Sequence, residues 1–214
     1  MHSYRICGLS VASEINLPGL IAGPADSAPQ VTIRRGVVPE SLTNAIAVGQ
    51  TWQLAGKQFL FHEPNVARFL LNDGAEIVFA AEVGGSIEDV PLFLLGTVFG
   101  ILLHQRRQIV LHASAIEVGG RAVVFGGSSG AGKSTLAAAL ARKGYRVTTD
   151  DVCAITLSDD GAPMVHPDGR QLKRGDQPSR NSNCKQIAVR ASNGGWKNST
   201  FNRSQRLSKP YRSA

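Results

Sequence analysis

The sequence has little of what covalent cross-links, cysteine metal sites or membrane spans require. Its 214 residues include three cysteines, Cys7, Cys153 and Cys184, which lie far apart without a CxxC pair. This spacing argues against a disulfide framework and against a zinc site. The longest uncharged apolar run, residues 90–103, is shorter than the ~18 residues that a membrane helix needs. The first ten residues carry one charge, at Arg5, and no long apolar core follows them, which disfavours a secretory signal. We therefore expect a cytoplasmic protein with no membrane contact.

Acidic residues are scarce at the end of the chain. From Lys173 onward there are ten Lys and Arg against one acid, Asp176, whereas the preceding 172 residues hold thirteen bases and fifteen acids. The net charge of +7 is therefore a property of residues 173–214, which we predict to form a basic, disordered or divergent tail. The bases alternate with Ser and Asn and lack an aromatic platform, so nucleic-acid binding is disfavoured.

Residues 1–86 alternate short β-rich runs with turn residues. Gly56-Lys57 and Asn72-Asp73-Gly74 are typical of hairpin turns. The pattern predicts a small antiparallel, β-rich N-terminal domain. The β-rich runs are residues 4–12, 31–35, 51–54, 58–62, 66–71 and 77–81.

Residues 87–172 contain longer apolar runs of both helical and strand type, which predict an α/β core. Residues 90–103 are apolar nearly all round, as in a helix packed on several sides. The β-rich runs 109–111 and 113–118 precede Gly119-Gly120 and the run 121–125 follows it, so the strand before the glycine-rich stretch should have an antiparallel neighbour. A helix over 134–143, a strand over 146–149 and a hairpin of 152–157 with 162–165 complete the pattern.

The glycine-rich stretch carries the strongest chemical signal. Gly127, Gly132, Lys133 and Ser134 fit the pattern G-x-x-x-x-G-K-[ST] between a strand and a helix. Such a loop directs main-chain amides at phosphate oxygens, the lysine reaches the terminal phosphates, and the hydroxyl ligates Mg²⁺. The predicted nucleotide-binding residues are Gly127, Ser128, Ser129, Gly130, Ala131, Gly132, Lys133, Ser134 and Thr135.

Two adjacent acids, Asp150 and Asp151, follow the predicted strand 146–149, so we expect them at its carboxyl end beside the loop. One can hold the metal while the other accepts a proton from an incoming hydroxyl. A turn, or an ordinary ligand of Mg²⁺ and its waters as in a hydrolytic nucleotide-binding protein, is the open alternative. His112 alone would more often be a core or surface histidine than a catalytic one.

The stretches "LHASAIEVGGRAVVFGGSSGAGKS" and "RKGYRVTTDDV" resemble the HPr kinase/phosphorylase family, whose P-loop core is related to phosphoenolpyruvate carboxykinase. The resemblance implies a P-loop kinase core with a mixed sheet after the β-rich domain. It also implies that Lys133 and Ser134 bind ATP phosphates and Mg²⁺ and that Asp150 deprotonates a protein serine. Asp151 would support the metal, and His112 would lie near the transferring phosphoryl group.

These observations together predict an ATP- and Mg²⁺-dependent serine kinase that acts on a protein or peptide. A homo-oligomer is compatible with them. Two departures from the family keep other readings open: Thr135 stands where the family often has an acid, and no glycine-rich signature follows the acid pair. An ATP-binding regulator or inactive remnant is one alternative, and a small-molecule kinase is the other.

Overall fold

The computed structural model describes residues 1–24, 28–170 and 185–189. Strands dominate it and form two sheets, one large and mixed, the other curled into a barrel. The architecture is therefore mixed α/β, as predicted. Apart from residues 185–189, the predicted tail lies outside the described residues.

The first sheet contains eight strands in the order β1-β2-β3-β8-β7-β6-β5-β4. The hairpins expected at Gly56 and at Asp73-Gly74 are confirmed: Ala55 pairs with Gln58, and Asn72 pairs with Glu76. The strands are β1 (His2–Ile6), β2 (Leu9–Ser13), β3 (Val31–Arg35), β4 (Ala47–Val48), β5 (Trp52–Ala55), β6 (Gln58–Glu63), β7 (Ala67–Asn72) and β8 (Glu76–Ala81).

Two expectations about this sheet are wrong. The sheet is not antiparallel throughout, because β3 pairs in parallel with both β2 and β8. Long connections allow this parallel pairing, and strand propensity carries no information about it. Residues 4–12 are also not one strand, since Cys7 and Gly8 turn the chain with φ of 50° and 82°. Positive φ at both central residues is the geometry of a type I′ hairpin turn.

The apolar stretch after the sheet is helical, as predicted, but it is not one regular α-helix. α1 (Val90–Phe93) leads into a π-helical stretch, Leu94–Val98, and then into α2 (Phe99–Gln105). Leu94, Val98 and Leu102 are fully buried and, spaced four apart, share one face that packs into the core, whereas Leu92 is 67% exposed. No helix in the described part of the chain has the length and hydropathy to cross a membrane.

The second sheet closes into a five-stranded barrel in the order β10-β13-β12-β11-β9. Strand β9 lies antiparallel between β10 and β11. The predicted turn at Gly119-Gly120 is confirmed, because Val118 pairs with Arg121. The remaining elements are β9 (Ile109–Val118), β10 (Arg121–Gly126), α3 (Lys133–Arg142), β11 (Arg146–Leu157), β12 (Pro163–His166) and β13 (Lys185–Val189).

Strand β13 occupies a part of the tail where no strand was expected. It pairs in parallel with β10 and antiparallel with β12, and so closes the barrel. Pairing partners on both sides can hold a segment in a strand without any alternation of apolar residues. The sequence pattern therefore could not reveal it.

Two clusters of buried side chains lie on opposite faces of β11. The larger cluster includes residues from the first sheet and the helices and also Val152 and Ala154. The smaller one includes Ala113, Cys153 and Ile155 and fills the barrel. Burial raises the pKa of the Cys153 thiol to about 12, so this cysteine is a packing residue and not a nucleophile.

Gly169 joins the two parts of the molecule at a point where only glycine fits. Its φ is +83°, and a Cβ there would collide with the backbone carbonyl of Arg5. Gly169→Ala should therefore lower the free energy of unfolding by at least about 2 kcal/mol, from the left-handed conformation and the collision together. Thermal unfolding measures the loss.

Gly161→Ala is the matched control, since Gly161 has φ +81° with open space around its Cβ position. It should lose only about 1 kcal/mol. Equal losses for the two variants would contradict the packing of Arg5 on Gly169.

Candidate functional site

The glycine-rich loop leads from β10 into α3, as the sequence predicted. Residues 126–132 are exposed, and Gly130 and Gly132 adopt positive φ of 78° and 83°. Within residues 128–131 of the described chain, only the Ala131 amide donates to a backbone acceptor, the Ser128 carbonyl at 3.2 Å. Helix α3 begins at Lys133 without a side-chain cap, so its first-turn amides remain open to an anion.

The Lys133 ammonium is hydrogen-bonded to the backbone of this loop. Its Nζ donates to the carbonyls of Gly127 and Ser128, each at 3.0 Å. An ammonium has three donors, so one remains for a ligand. Ser134 and Thr135 follow on the first turn of α3, and both are exposed. The predicted nucleotide-binding residues thus lie together on one exposed loop and helix start.

We expected the acid pair at the carboxyl end of a strand. The structure places it within one. β11 continues from Arg146 through Asp150 and Asp151 to Leu157. Both acids pair with β9, which is why the strand does not end before them. An irregularity in register between Val147 and Thr149 precedes the pair, and such a bulge re-aims the side chains that follow it.

The pairing register places the acids level with the start of the loop. Ala113 of β9 lies opposite Gly126 on one side and opposite Asp151 on the other. Gly126 and Asp151 are therefore two strand spacings apart, about 10 Å between backbones. Strand β9 thus brings together Gly126 and Asp151, which are 25 positions apart in the sequence.

Asp150 is held by Ser114, a residue that the sequence analysis did not select. The two lie opposite each other, and Ser114 Oγ donates to Asp150 Oδ1 at 2.5 Å. Ser114 is buried and follows His112 by two positions. Residues i and i+2 of a strand share a face, so a strand predicted to continue from 109–111 through His112 into 113–118 would have indicated Ser114 as a neighbour of His112.

Asp151 has a strained backbone that turns its side chain toward His112. Its φ is 104°, a region that non-glycine residues rarely adopt. A regular strand would direct Asp151 with its opposite residue, Ala113, into the barrel. Instead, Asp151 Oδ1 lies 2.8 Å from His112 Nδ1. Both side chains are partly exposed, at 40% and 59%, so this carboxylate–imidazole pair is accessible from solvent.

The strain at Asp151 predicts that glycine at this position is more stable than alanine. The free energy of unfolding of Asp151→Gly should be about 1 kcal/mol higher than that of Asp151→Ala, because only glycine adopts this φ without steric cost. In an ordinary strand the glycine variant would be the less stable of the two by 0.5–1 kcal/mol, roughly. Chemical denaturation of both variants decides between these outcomes. A less stable glycine variant would contradict the strained backbone.

Two further residues contact the acid pair from the segment after β12. The Asp168 carboxylate accepts hydrogen bonds from the Asp150 amide at 3.0 Å and from Thr149 Oγ1 at 3.3 Å. Burial raises the pKa of Asp168, although the hydrogen bonds from the Asp150 and Arg170 amides oppose the rise. Arg170 Nη2 lies 4.0 Å from Asp151 Oδ2. Nothing in the local sequence pattern indicated either residue.

An open cleft of about 420 Å³ lies beside the acid pair. Leu92, Gly96 and Thr97 line one side of it, from α1 and the π-helical stretch. His112 and Asp151 lie on the other side. A group that entered this cleft would meet the carboxylate–imidazole pair directly.

The side chains present suit Mg²⁺ only together with phosphate. Within the described residues there is no group of three or more His, Cys, Asp or Glu that could hold a metal ion alone. The exposed Ser134 hydroxyl and the Asp151 carboxylate supply oxygen donors. Mg²⁺ commonly binds through one or two such protein oxygens together with substrate phosphates and waters, so the chemistry of these oxygens fits it.

A scan against models of protein families gave no match, and neither did a search of curated proteins. The resemblance to the HPr kinase/phosphorylase family therefore stays a prediction.

Proposed function

We propose that the protein is an ATP- and Mg²⁺-dependent kinase of the HPr kinase type that transfers the γ-phosphate to a serine of a protein or peptide. The observation that carries the proposal is that Gly126 and Asp151 both pair with Ala113 of β9, from its two sides. An exposed, uncapped phosphate-type loop and a pair of carboxylates thus flank one strand. Phosphoryl transfer needs these two features in that proximity.

The loop would bind the nucleotide. Open amides at the start of α3 and the remaining Lys133 donor favour the β- and γ-phosphates. Ser134 and Asp151 would hold Mg²⁺, which neutralises charge on the phosphates when bound. His112, at 2.8 Å from Asp151, would orient that carboxylate beside the phosphoryl group.

Asp150 would accept the proton. The serine oxygen of the acceptor bonds to the γ-phosphorus, the bond from that phosphorus to the β–γ bridging oxygen breaks, and ADP leaves with its electron pair. The serine proton passes to an Asp150 oxygen. Ser114 donates to Oδ1 only, so Oδ2 has no hydrogen-bond partner within the described residues and can receive it.

Incubation with γ-labelled ATP and a serine-containing peptide library, followed by mapping of the labelled residue, tests the proposal. Phosphoserine that depends on Mg²⁺ is the expected result. A label found only in a metabolite pool supplied in parallel would favour a small-molecule kinase. ATP binding without any product would leave a nucleotide-binding regulator, and the kinase proposal would be wrong.

A further inference from the structure

The segment 167–170 holds Asp150 from both of its peptide groups. The Asp150 amide donates to Asp168 Oδ2 at 3.0 Å, and the Asp150 carbonyl accepts from Arg170 Nη1 at 3.4 Å. The Arg170 amide in turn donates to Asp168 Oδ1 at 3.0 Å. One buried carboxylate and one guanidinium, two positions apart, thus fix the backbone of the residue that we assign as the base.

Arg170 also connects the acid pair with the cleft wall. Its Nη2 donates to the Leu95 carbonyl at 3.2 Å and lies 4.0 Å from Asp151 Oδ2. Leu95 belongs to the π-helical stretch, and single π-helical turns are frequent at functional sites. A single side chain therefore sets the spacing between the two acids and the helical side of the cleft.

The segment itself is fixed by the turn between β1 and β2 and by the loop between β2 and β3. The Cys7 amide donates to the Pro167 carbonyl and the Ile21 amide to the Gly169 carbonyl, each at 2.9 Å. Leu20 forms an isolated bridge with Arg170. Groups supported in this way keep a reactive side chain in one geometry.

We propose that Asp168 and Arg170 are positioning residues of the phosphotransfer site, which keep Asp150 and the strained Asp151 in their working geometry. The proposal rests on the kinase function proposed above. Neither residue needs to contact the nucleotide. Their loss should therefore impair turnover and leave ATP binding intact.

Steady-state phosphotransfer of Arg170→Met, Arg170→Lys and Asp168→Asn tests the proposal. Misplacing a reacting group by about 1 Å can cost a factor of ~100, so Arg170→Met should lower kcat about 10- to 100-fold with the KM for ATP within about twofold. Arg170→Lys keeps the charge and should recover part of the loss. Arg146→Met is the matched control, because Arg146 lies on β11 and pairs with Glu117 at 3.7 Å, away from the acids.

Hydrogen exchange gives a second readout that does not need activity. The amides of residues 149–152 should exchange faster in Arg170→Met and Asp168→Asn than in wild type, while those of residues 67–71 stay unchanged. If the wild-type protein transfers no phosphate, the kinase proposal fails and this exchange alone decides whether the segment positions the acids. Should Asp168→Asn fail to fold, Arg170→Met carries the test.

Unchanged exchange at residues 149–152 in Arg170→Met would overturn the proposal. A kcat equal to that of the wild type would do so too, as would an equal loss in Arg146→Met. A joint rise of KM and fall of kcat, without recovery in Arg170→Lys, would indicate a general structural defect and would also count against positioning.

Discussion

Mg-ATP is expected to raise the Tm of the wild-type protein, and Lys133→Ala is expected to abolish that rise. A ligand at 100 times its Kd stabilises a folded protein by about 2.7 kcal/mol, which for a chain of this size raises Tm by roughly 5–10 °C. Lys133 supplies the only ammonium that the structure places against the loop within the described residues, with contacts to Gly127 and Ser128. Without it the γ-phosphate would lose a charge-assisted hydrogen bond from the protein.

Lys143→Ala provides the control for this experiment. Lys143 lies at the opposite end of α3, where it follows Arg142, so its removal changes the net charge equally and leaves the loop intact. Its Mg-ATP shift should match that of the wild type. Tm without nucleotide must be recorded for both variants, because Lys133→Ala also removes two hydrogen bonds of the loop. A full shift in Lys133→Ala would exclude the assigned role of the loop.

Asp150→Asn should retain the Mg-ATP shift and lose phosphotransfer by a factor of about 10²–10⁴, the usual contribution of a general base. Asparagine has the same shape and can still accept from Ser114, so the strand pairing at this position should persist. It cannot take the proton of the acceptor hydroxyl. Transfer assays at saturating ATP measure the loss.

Asp159→Asn, in the turn after β11, is the control for the change of charge and should behave as wild type. Asp151→Asn separates the roles of the two acids. It should shift the Mg²⁺ concentration needed for half-maximal transfer upward, whereas Asp150→Asn should not. If Asp150→Asn transfers at the wild-type rate and Asp151→Asn does not, the assignment of the base to Asp150 is wrong.

The sequence could predict the features that depend on neighbouring residues. The strand–loop–helix unit around Lys133 follows from glycines that permit positive φ at Gly130 and Gly132. The hairpin at Gly119-Gly120 and the end of α3 before Gly144, at φ 97°, have the same local origin. The roles of the candidate site residues stay predictions, although the structure places His112 and Asp151 in contact.

Features that depend on distant partners were missed or mistaken. The acids were expected after a strand and lie inside one, because β9 pairs with them through Ala113 and Ser114. The turn at Cys7 was missed for a local reason, since cysteine is not a usual residue for positive φ.

By itself, the sequence determined that a glycine-rich loop ending in a lysine precedes a helix and that two adjacent acids follow the β-rich run after that helix, since backbone sterics and local hydrogen bonds specify such units. Only the tertiary structure decided how they meet. The shared level of Gly126 and Asp151, the positive φ of Asp151 and the contacts of Asp168 and Arg170 arise from pairing and burial between distant segments. Such contacts leave no periodic pattern in the chain, because each depends on a partner many residues away.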